Sequence, residues 1–258
     1  ATQRRLLMVS PGSVAFSVFG FDIMWYGLLI GFGFMLAVLI TYFRAPKYNI
    51  DPDFILTLTI WIIPSAIIGA RLYYVIFSWD DFSGNLSKIF DIRSGGLAVH
   101  GGLIMCFIVG YFVCKHYKVK FLDAADLIAP VIPLAQAIGR WGNFFNEEAH
   151  GGPTDLPWAQ IIDGVGYHPT FLYESIWCFL LFIFLMYFAN HKRKFTGQII
   201  CLYGILYSVE RFFVEGLRTD SLMIGPLRQA QVLSLALIAG CIIIYIILRK
   251  RALHTSNK

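Results

Sequence analysis

Long apolar runs dominate the sequence, and polar residues gather in the short connections between them. Each run is close to the ~20 residues that an α-helix needs to cross the hydrocarbon core of a bilayer. The pattern predicts an all-α integral membrane protein that forms a single membrane domain over residues 1–258. The seven predicted spans are about Ile23–Phe43, Phe54–Phe77, Leu97–Cys114, Ala124–Trp141, Pro169–Ala189, Gly197–Val214 and Gln229–Leu248.

Composition supports the same class. Hydrophobic residues make up 57% of the chain and charged residues 14%, whereas soluble domains carry about 25% charged residues. An ordinary cytosolic globular protein is therefore excluded. All five cysteines fall inside apolar runs without the spacing of metal ligands, so neither a disulfide framework nor a zinc site is expected.

The basic residues predict the orientation. The formal charge of +5 comes from short clusters between apolar runs, which is typical of cytoplasmic loops and gives no reason to expect a nucleic-acid partner. The segment 143–168 has no Lys or Arg. The N-terminus is therefore predicted outside and the C-terminus inside. Arg4 and Arg5 oppose this orientation, unless Met8 is the native start and residues 1–7 are a foreign remnant. The clusters assigned to the cytoplasm are Arg44 with Lys47, Lys115 with Lys118 and Lys120, Lys192 to Lys194, and Arg249 to Arg251 with Lys258.

Three arginines fall within predicted spans, namely Arg71, Arg140 and Arg211, and each lies in the half assigned to the outer leaflet. A charged side chain at membrane depth costs a few kcal/mol, so it usually faces a bundle interior or a polar cavity. One such arginine could simply snorkel or form an internal ion pair. Three at the same depth favour a site for an anionic ligand.

Other polar groups are predicted at this depth. Tyr26 lies near the outer end of the first span, His100 opens the third, and Asn143 and Glu148 follow the fourth. Glycines flank His100 and Arg140, which fits either close approach to a ligand or helix packing. His100 is a candidate base, and a hydrogen-bonded structural histidine is the alternative.

Arg211, Glu215 and Arg218 are spaced i, i+4 and i+7, so they share one helix face if the helix continues that far. Arg211 and Glu215 could form an ion pair with no further role. An arginine oriented by a glutamate can also hold a phosphate through its forked donors.

Familiar catalytic motifs are missing from the sequence. There is no Gly-x-Ser-x-Gly elbow, no HExxH and no Walker loop, so hydrolase, zincin and nucleotide-driven functions have no motif support. The nucleophile is expected to come from a substrate, and neither a metal nor a cofactor is expected.

Four segments carry a resemblance to a known family, namely Val99–Ile104, Gln136–Glu148, His168–Ser175 and Glu210–Asp220, with weaker matches at Trp25–Gly27 and Gly69–Leu72. Together they resemble the prolipoprotein diacylglyceryl transferase family. The resemblance implies a seven-span fold in the bacterial plasma membrane with an active site open to the outer leaflet. It also implies that Tyr26, His100, Arg140, Asn143, Glu148, Gly151, Arg211 and Glu215 are functionally sensitive.

The reaction that the resemblance implies moves the diacylglyceryl group of phosphatidylglycerol to the lipobox cysteine of a prolipoprotein signal peptide, and it releases glycerol phosphate. His100, Arg140, Arg211 and Glu215 are the predicted catalytic residues. The predicted substrate-binding residues are Tyr26, Arg71, Arg140, Asn143, Glu148, Gly151, Arg211 and Arg218. A transporter or flippase for an anionic lipid is the main alternative, with inverted repeats and broken helices as its expected signs. A further alternative is a structural membrane subunit in which the polar residues hold the helices together by hydrogen bonds.

Overall fold

The computed structural model describes residues 8–92, 95–219 and 223–256. The predictions that concern Arg4, Arg5 and Lys258, and the match at Asp220, lie outside these residues. The described chain is mostly helical. Its α-helices are α1 (Trp25–Arg44), α2 (Pro52–Phe77), α3 (Val99–His116), α4 (Phe121–Ile128), α5 (Val131–Phe145), α6 (Thr170–His191), α7 (Gln198–Glu215) and α8 (Gln229–Ser256).

Short strands form three small sheets within the same residues. They are β1 (Met8–Val9), β2 (Val14–Val18), β3 (Phe21–Met24), β4 (Gln160–Ile162), β5 (Val165–Tyr167), β6 (Met223–Ile224) and β7 (Leu227–Arg228). β1 pairs in parallel with β4, which pairs antiparallel with β5. The other two sheets are the hairpins β2–β3 and β6–β7.

The membrane class is confirmed by five long apolar helices among the described residues, and the helix pair α4 and α5 makes a sixth candidate span. The five are α1 with the 3-10 turn that follows it, α2, α3, α6 and α8. α7 forms where the sixth span was predicted but is less apolar, because it carries several charged and polar side chains. The predicted number of seven spans is therefore supported only as far as five or six.

The fourth predicted span is not one continuous helix. It divides into α4 and α5, whose axes differ by 44°. The break lies at Ala129 and Pro130. Proline has no N–H to donate and clashes with the preceding turn, so it interrupts the helical hydrogen bonds.

A buried aspartate on α4 caps the start of α7. Asp126 is fully buried, and its carboxylate accepts hydrogen bonds from the backbone N–H groups of Gly197, Ile199 and Ile200 at 2.8, 2.9 and 3.0 Å. Arg193 pairs with the same carboxylate at 2.9 Å. The first N–H groups of a helix have no partner within it, and Gly197 has no side chain to supply one. The cap therefore comes from a distant part of the chain.

The described chain divides into two compact units. The first comprises residues up to Ile40 and from Ala125 onward, and the second runs from Thr41 to Ala124. In the second unit α2 packs directly on α3. A Cβ atom added to Gly69 would lie 2.5 Å from the carbonyl oxygen of Gly101, so only glycine permits this approach of the two backbones.

Candidate active site

A buried glutamate links two of the arginines that fall in predicted spans. Glu174 lies on α6, where one carboxylate oxygen contacts Nη1 of Arg140 on α5 at 3.0 Å. The other oxygen contacts Nη1 of Arg211 on α7 at 2.7 Å. Three helices of the first unit thus bring together two guanidinium groups around one carboxylate.

Further polar groups orient the two guanidinium groups. Nη2 of Arg211 pairs with Glu215 at 2.5 Å, so the internal ion pair anticipated from the i, i+4 spacing is present. Nη2 of Arg140 donates to the hydroxyl of Tyr207 at 3.5 Å. These contacts hold both side chains in defined directions, because a carboxylate and a guanidinium are most stable in a fixed geometry.

Glu210 adds a third carboxyl group to the cluster. It is 5% exposed, and within the described residues neither of its side-chain oxygens accepts a hydrogen bond. It interacts electrostatically with Arg140 and Arg211. The cluster therefore places three protein carboxyl groups around two guanidinium groups.

The two arginine side chains are partly exposed, whereas the Glu174 side chain is buried. Their side chains are 20% and 19% exposed, against 3% for Glu174. Each guanidinium has five N–H groups, and the contacts above use only some of them. Two neighbouring forked donors of this kind can bind a phosphate group, whose oxygens match their geometry.

Arg218 does not share the helix face of Arg211 and Glu215, which corrects the i+7 expectation. α7 ends at Glu215, and Gly216 follows it in a turn. The backbone of Arg218 instead forms a β-bridge with Gly151. The guanidinium of Arg228 donates to the carbonyl oxygen of Glu215, which satisfies one of the carbonyl groups left open at the helix end.

Asn143, in the last turn of α5, lies beside Glu148, which follows the helix. The side-chain amide of Asn143 donates to the Glu148 carboxylate at 2.9 Å, and that of Asn146 donates to the same oxygen at 3.3 Å. Glu148 is exposed and Asn143 is half-buried. The sequence predicted both side chains at the same depth, and this contact is consistent with that prediction. Their binding of substrate stays a prediction.

Gly151 lies where three segments meet. Its N–H donates to the carbonyl oxygen of His168 at 2.9 Å, and a Cβ atom there would lie 2.7 Å from the Cβ of His168 and 3.2 Å from the carbonyl oxygen of Leu217. Thr170 ties the same segment to α6 by donating to the carbonyl oxygen of Ala149 at 2.5 Å. Glycine is therefore required by packing, whether or not a substrate also contacts it.

Tyr26 packs on the helix that carries Arg140. A Cβ atom on Gly142 would lie 2.4 Å from the Tyr26 ring, so glycine makes room for the aromatic side chain. Gly101 and Gly142 thus serve packing at these two positions, which is the alternative that the sequence left open for them.

The guanidinium of Arg71, in the second unit, binds main-chain carbonyl oxygens. Its nitrogens donate to five of them at 2.6 to 2.9 Å, and the side chain is buried. These bonds secure the segment that leads into α3. Its use as a substrate ligand stays a prediction, and the geometry favours a structural role. The acceptors belong to Lys88, Ile89, Asp91, Gly95 and Gly96.

His100 also belongs to the second unit. It lies in the first turn of α3 and is exposed, with its ring centroid 6.3 Å from that of Tyr73. An exposed imidazole is accessible to a substrate, which its predicted role as a base requires.

Glu174, which links the two arginines, was not among the predicted site residues. It lies in the segment His168–Ser175, and it is an acidic residue inside an apolar run. The rule that singled out the arginines, namely that a charge at membrane depth needs a partner, applies to it equally.

Known proteins are similar in sequence to nearly the whole chain. Residues 13–247 match the family described as prolipoprotein diacylglyceryl transferase. The chain is 53% identical to the phosphatidylglycerol–prolipoprotein diacylglyceryl transferase of Finegoldia magna over 245 residues, which are 95% of this chain and 99% of that protein.

Two further relatives carry the same name. Identity is 53% over 238 residues with the protein of Clostridioides difficile, covering 92% of this chain and 96% of the relative. The identity with the protein of Clostridium novyi is 51% over 242 residues, which cover 90% of this chain and 94% of the relative. The similarity thus extends over both units.

Proposed function

Because the chain belongs to the prolipoprotein diacylglyceryl transferase family, we propose that Arg140 and Arg211, bridged by Glu174, form the phosphate-binding part of its active site. The protein is an enzyme, a phosphatidylglycerol–prolipoprotein diacylglyceryl transferase, which acts in the first step of lipoprotein maturation. Its substrates are phosphatidylglycerol and a prolipoprotein. The observation that carries the residue assignment is the pair of partly exposed arginine side chains whose guanidinium groups are held by one buried carboxylate.

The reaction is an S-alkylation. The cysteine sulfur attacks the glycerol carbon that bears the phosphate, a C–S bond forms and the C–O bond to the phosphate breaks. The electron pair of that bond leaves with glycerol phosphate, and the thiol proton passes to a base. Arg140 and Arg211 stabilise the negative charge that gathers on the departing phosphate, provided their hydrogen bonds tighten in the transition state.

Glu174 and Glu215 act as positioning residues for these arginines. Glu174 contacts both guanidinium groups, and Glu215 contacts Arg211 from the end of the same helix. Preorganised donors need no rearrangement when charge develops, which is why fixed geometry favours catalysis.

The proposed topology has seven spans, with α4 and α5 as one bent span and α7 as another. The N-terminus lies outside, the C-terminus lies in the cytoplasm, and the arginine cluster faces the outer leaflet. The distribution of Lys and Arg among the connectors supports this orientation. The names of the relatives favour the transferase over the lipid transporter, although the chain does contain one of the broken helices expected of a transporter.

The activity is tested by incubating the purified protein with phosphatidylglycerol and a peptide that bears a lipobox cysteine. Mass spectrometry is expected to show a diacylglyceryl adduct on the peptide and an equal amount of released glycerol phosphate. A Cys→Ser peptide is the matched control and is expected to give neither product, because the thiol is the nucleophile. Lipid binding without any adduct would contradict the transferase function.

His100 is proposed as the base that accepts the thiol proton. His100→Ala is expected to slow transfer by about 10²–10⁴-fold with phosphatidylglycerol binding retained, because general-base catalysis contributes on that order. Initial rates and lipid binding are measured on the same preparation.

The matched control for this variant is His116→Ala, which removes an exposed histidine from the other end of α3 and is expected to leave the rate unchanged. Full turnover by His100→Gln would show that His100 is not the base, because a glutamine amide cannot accept that proton.

A further inference from the structure

Toward its tip, the hairpin β2–β3 has one apolar and one polar face. Residues directly opposite each other in an antiparallel pair lie on the same face, so the pairs Phe16–Ile23 and Val18–Phe21 share one face. The pair Ser17–Asp22 lies on the other, where the Ser17 hydroxyl donates to the Asp22 carboxylate at 2.5 Å. Phe16, Val18 and Phe21 are all exposed. This amphipathic hairpin therefore presents an apolar surface to its surroundings.

The tip of the hairpin has an unusual residue for its backbone conformation. Phe19 and Gly20 form a two-residue turn with φ of 50° and 82°. The turn of the β4–β5 hairpin has nearly the same angles, 49° and 80°, at Asp163 and Gly164. Such turns favour Asn, Asp or Gly at the first position, because a bulky side chain is disfavoured at positive φ.

Asp163 follows this preference and Phe19 does not. The Phe19 side chain is also 97% exposed. Neither the turn nor packing within the described residues explains an aromatic residue there. An outlier of this kind points to an interaction outside the folded chain.

The base of the hairpin is fixed at the start of a candidate membrane span. β3 runs directly into α1, and the N–H of Trp25 donates to the carbonyl oxygen of Ser13 at 2.9 Å. The Trp25 ring stacks on Phe145 with centroids 4.8 Å apart, and the Ser10 hydroxyl donates to the Phe145 carbonyl oxygen at 3.1 Å. The hairpin thus begins at the depth where α1 enters the membrane, which is where aromatic residues concentrate.

We propose that the hairpin lies in the bilayer interface next to α1, with its apolar face and Phe19 in contact with lipid acyl chains. The apolar face matches the acyl region, and the Ser17–Asp22 face matches the headgroups and water. At about 3.3 Å per residue, the tip reaches roughly 15 Å from Trp25, which is enough to extend along the interface. The inference does not depend on the transferase activity.

Among the described residues no further strand pairs with the outer edges of the hairpin, so pairing with an extended peptide is the competing interaction. The membrane is favoured because the exposed side chains are large and apolar, whereas strand pairing uses the backbone and does not require them.

The test places a photoreactive phenylalanine analogue, p-benzoylphenylalanine, at position 19 of the full chain in nanodiscs of phosphatidylglycerol and phosphatidylethanolamine. The same residue at position 163 is the matched control, since it occupies the equivalent position in a turn of the same geometry. After irradiation, mass spectrometry is expected to show at least about fivefold more lipid adduct at position 19 than at 163. Equal and low adduct at both positions would overturn the proposal.

A second pair of variants tests the orientation of the hairpin. The analogue at Phe16 is expected to form lipid adducts several-fold more often than at Ser17, because the two side chains point to opposite faces. Adducts with an added lipobox peptide in place of lipid would overturn the proposal in favour of strand pairing. Each variant is checked for an unchanged Tm in detergent, and the Phe16 and Ser17 pair decides the question if the position 19 variant does not fold.

Discussion

Replacing Arg140 with alanine is expected to lower the rate of diacylglyceryl transfer about 10²–10³-fold and to weaken phosphatidylglycerol binding. Removing one preorganised donor from a site that stabilises developing negative charge has an effect of this size. The Arg140 side chain is partly exposed and held by Glu174, so its guanidinium group can donate to a phosphate in a defined direction. Rates come from the mass-spectrometric assay, and binding is measured separately.

The Arg140→Lys variant separates charge from geometry. Lysine keeps the positive charge but presents a point charge in place of a fork, so it is expected to recover only part of the rate. Arg249→Ala is the matched control, because Arg249 is an exposed arginine near the end of α8. It is expected to transfer at the unaltered rate.

A structural role for Arg140 makes a different prediction. If the ion pair with Glu174 only joins α5 to α6, Arg140→Ala should lower Tm while the folded fraction binds lipid normally. That outcome would remove Arg140 from the phosphate site. Loss of binding at unchanged Tm would support the site.

Replacing Asp126 with alanine is expected to have the largest effect on stability. The change leaves three backbone N–H groups at the start of α7 and the guanidinium of Arg193 without their shared acceptor. Breaking a buried charge pair by removing one partner costs about 3–5 kcal/mol. For a soluble domain of comparable size this corresponds to a fall in Tm on the order of 10 °C.

Thermal unfolding in detergent measures this effect. Asp155→Ala is the control, since Asp155 is exposed in the segment between α5 and α6. Its Tm is expected to stay within about 1–2 °C of the unaltered protein, as surface substitutions usually have small effects. Equal Tm values for the two variants would show that the cap at Asp126 is not required for stability.

The fold class and most of the helices could be predicted from the sequence. Hydropathy is a local property, and a run of about 20 apolar residues can be recognised without knowing what it packs against. The helices α1, α2, α3, α6 and α8 therefore lie close to their predicted positions. The arginines of the site were found in the same way, because a charge in an apolar run is conspicuous wherever its partner is.

The ends of helices and the break between α4 and α5 were predicted less well from the sequence. Pro130 was visible in the sequence, yet a proline can be accommodated in a membrane helix or can divide it. Likewise the i+7 spacing of Arg218 holds only if the helix continues, and α7 ends at Glu215. Local sequence leaves both alternatives open.

The membrane class, the positions of most helices and the charged residues that need partners can all be read from the amino-acid sequence, because each depends on a short stretch of residues. The identity of those partners depends on the tertiary structure. Glu174 is 34 and 37 residues from Arg140 and Arg211, and Asp126 is more than 70 residues from the backbone it caps. Such pairs form only when particular helices pack side by side, and that choice depends on the whole chain.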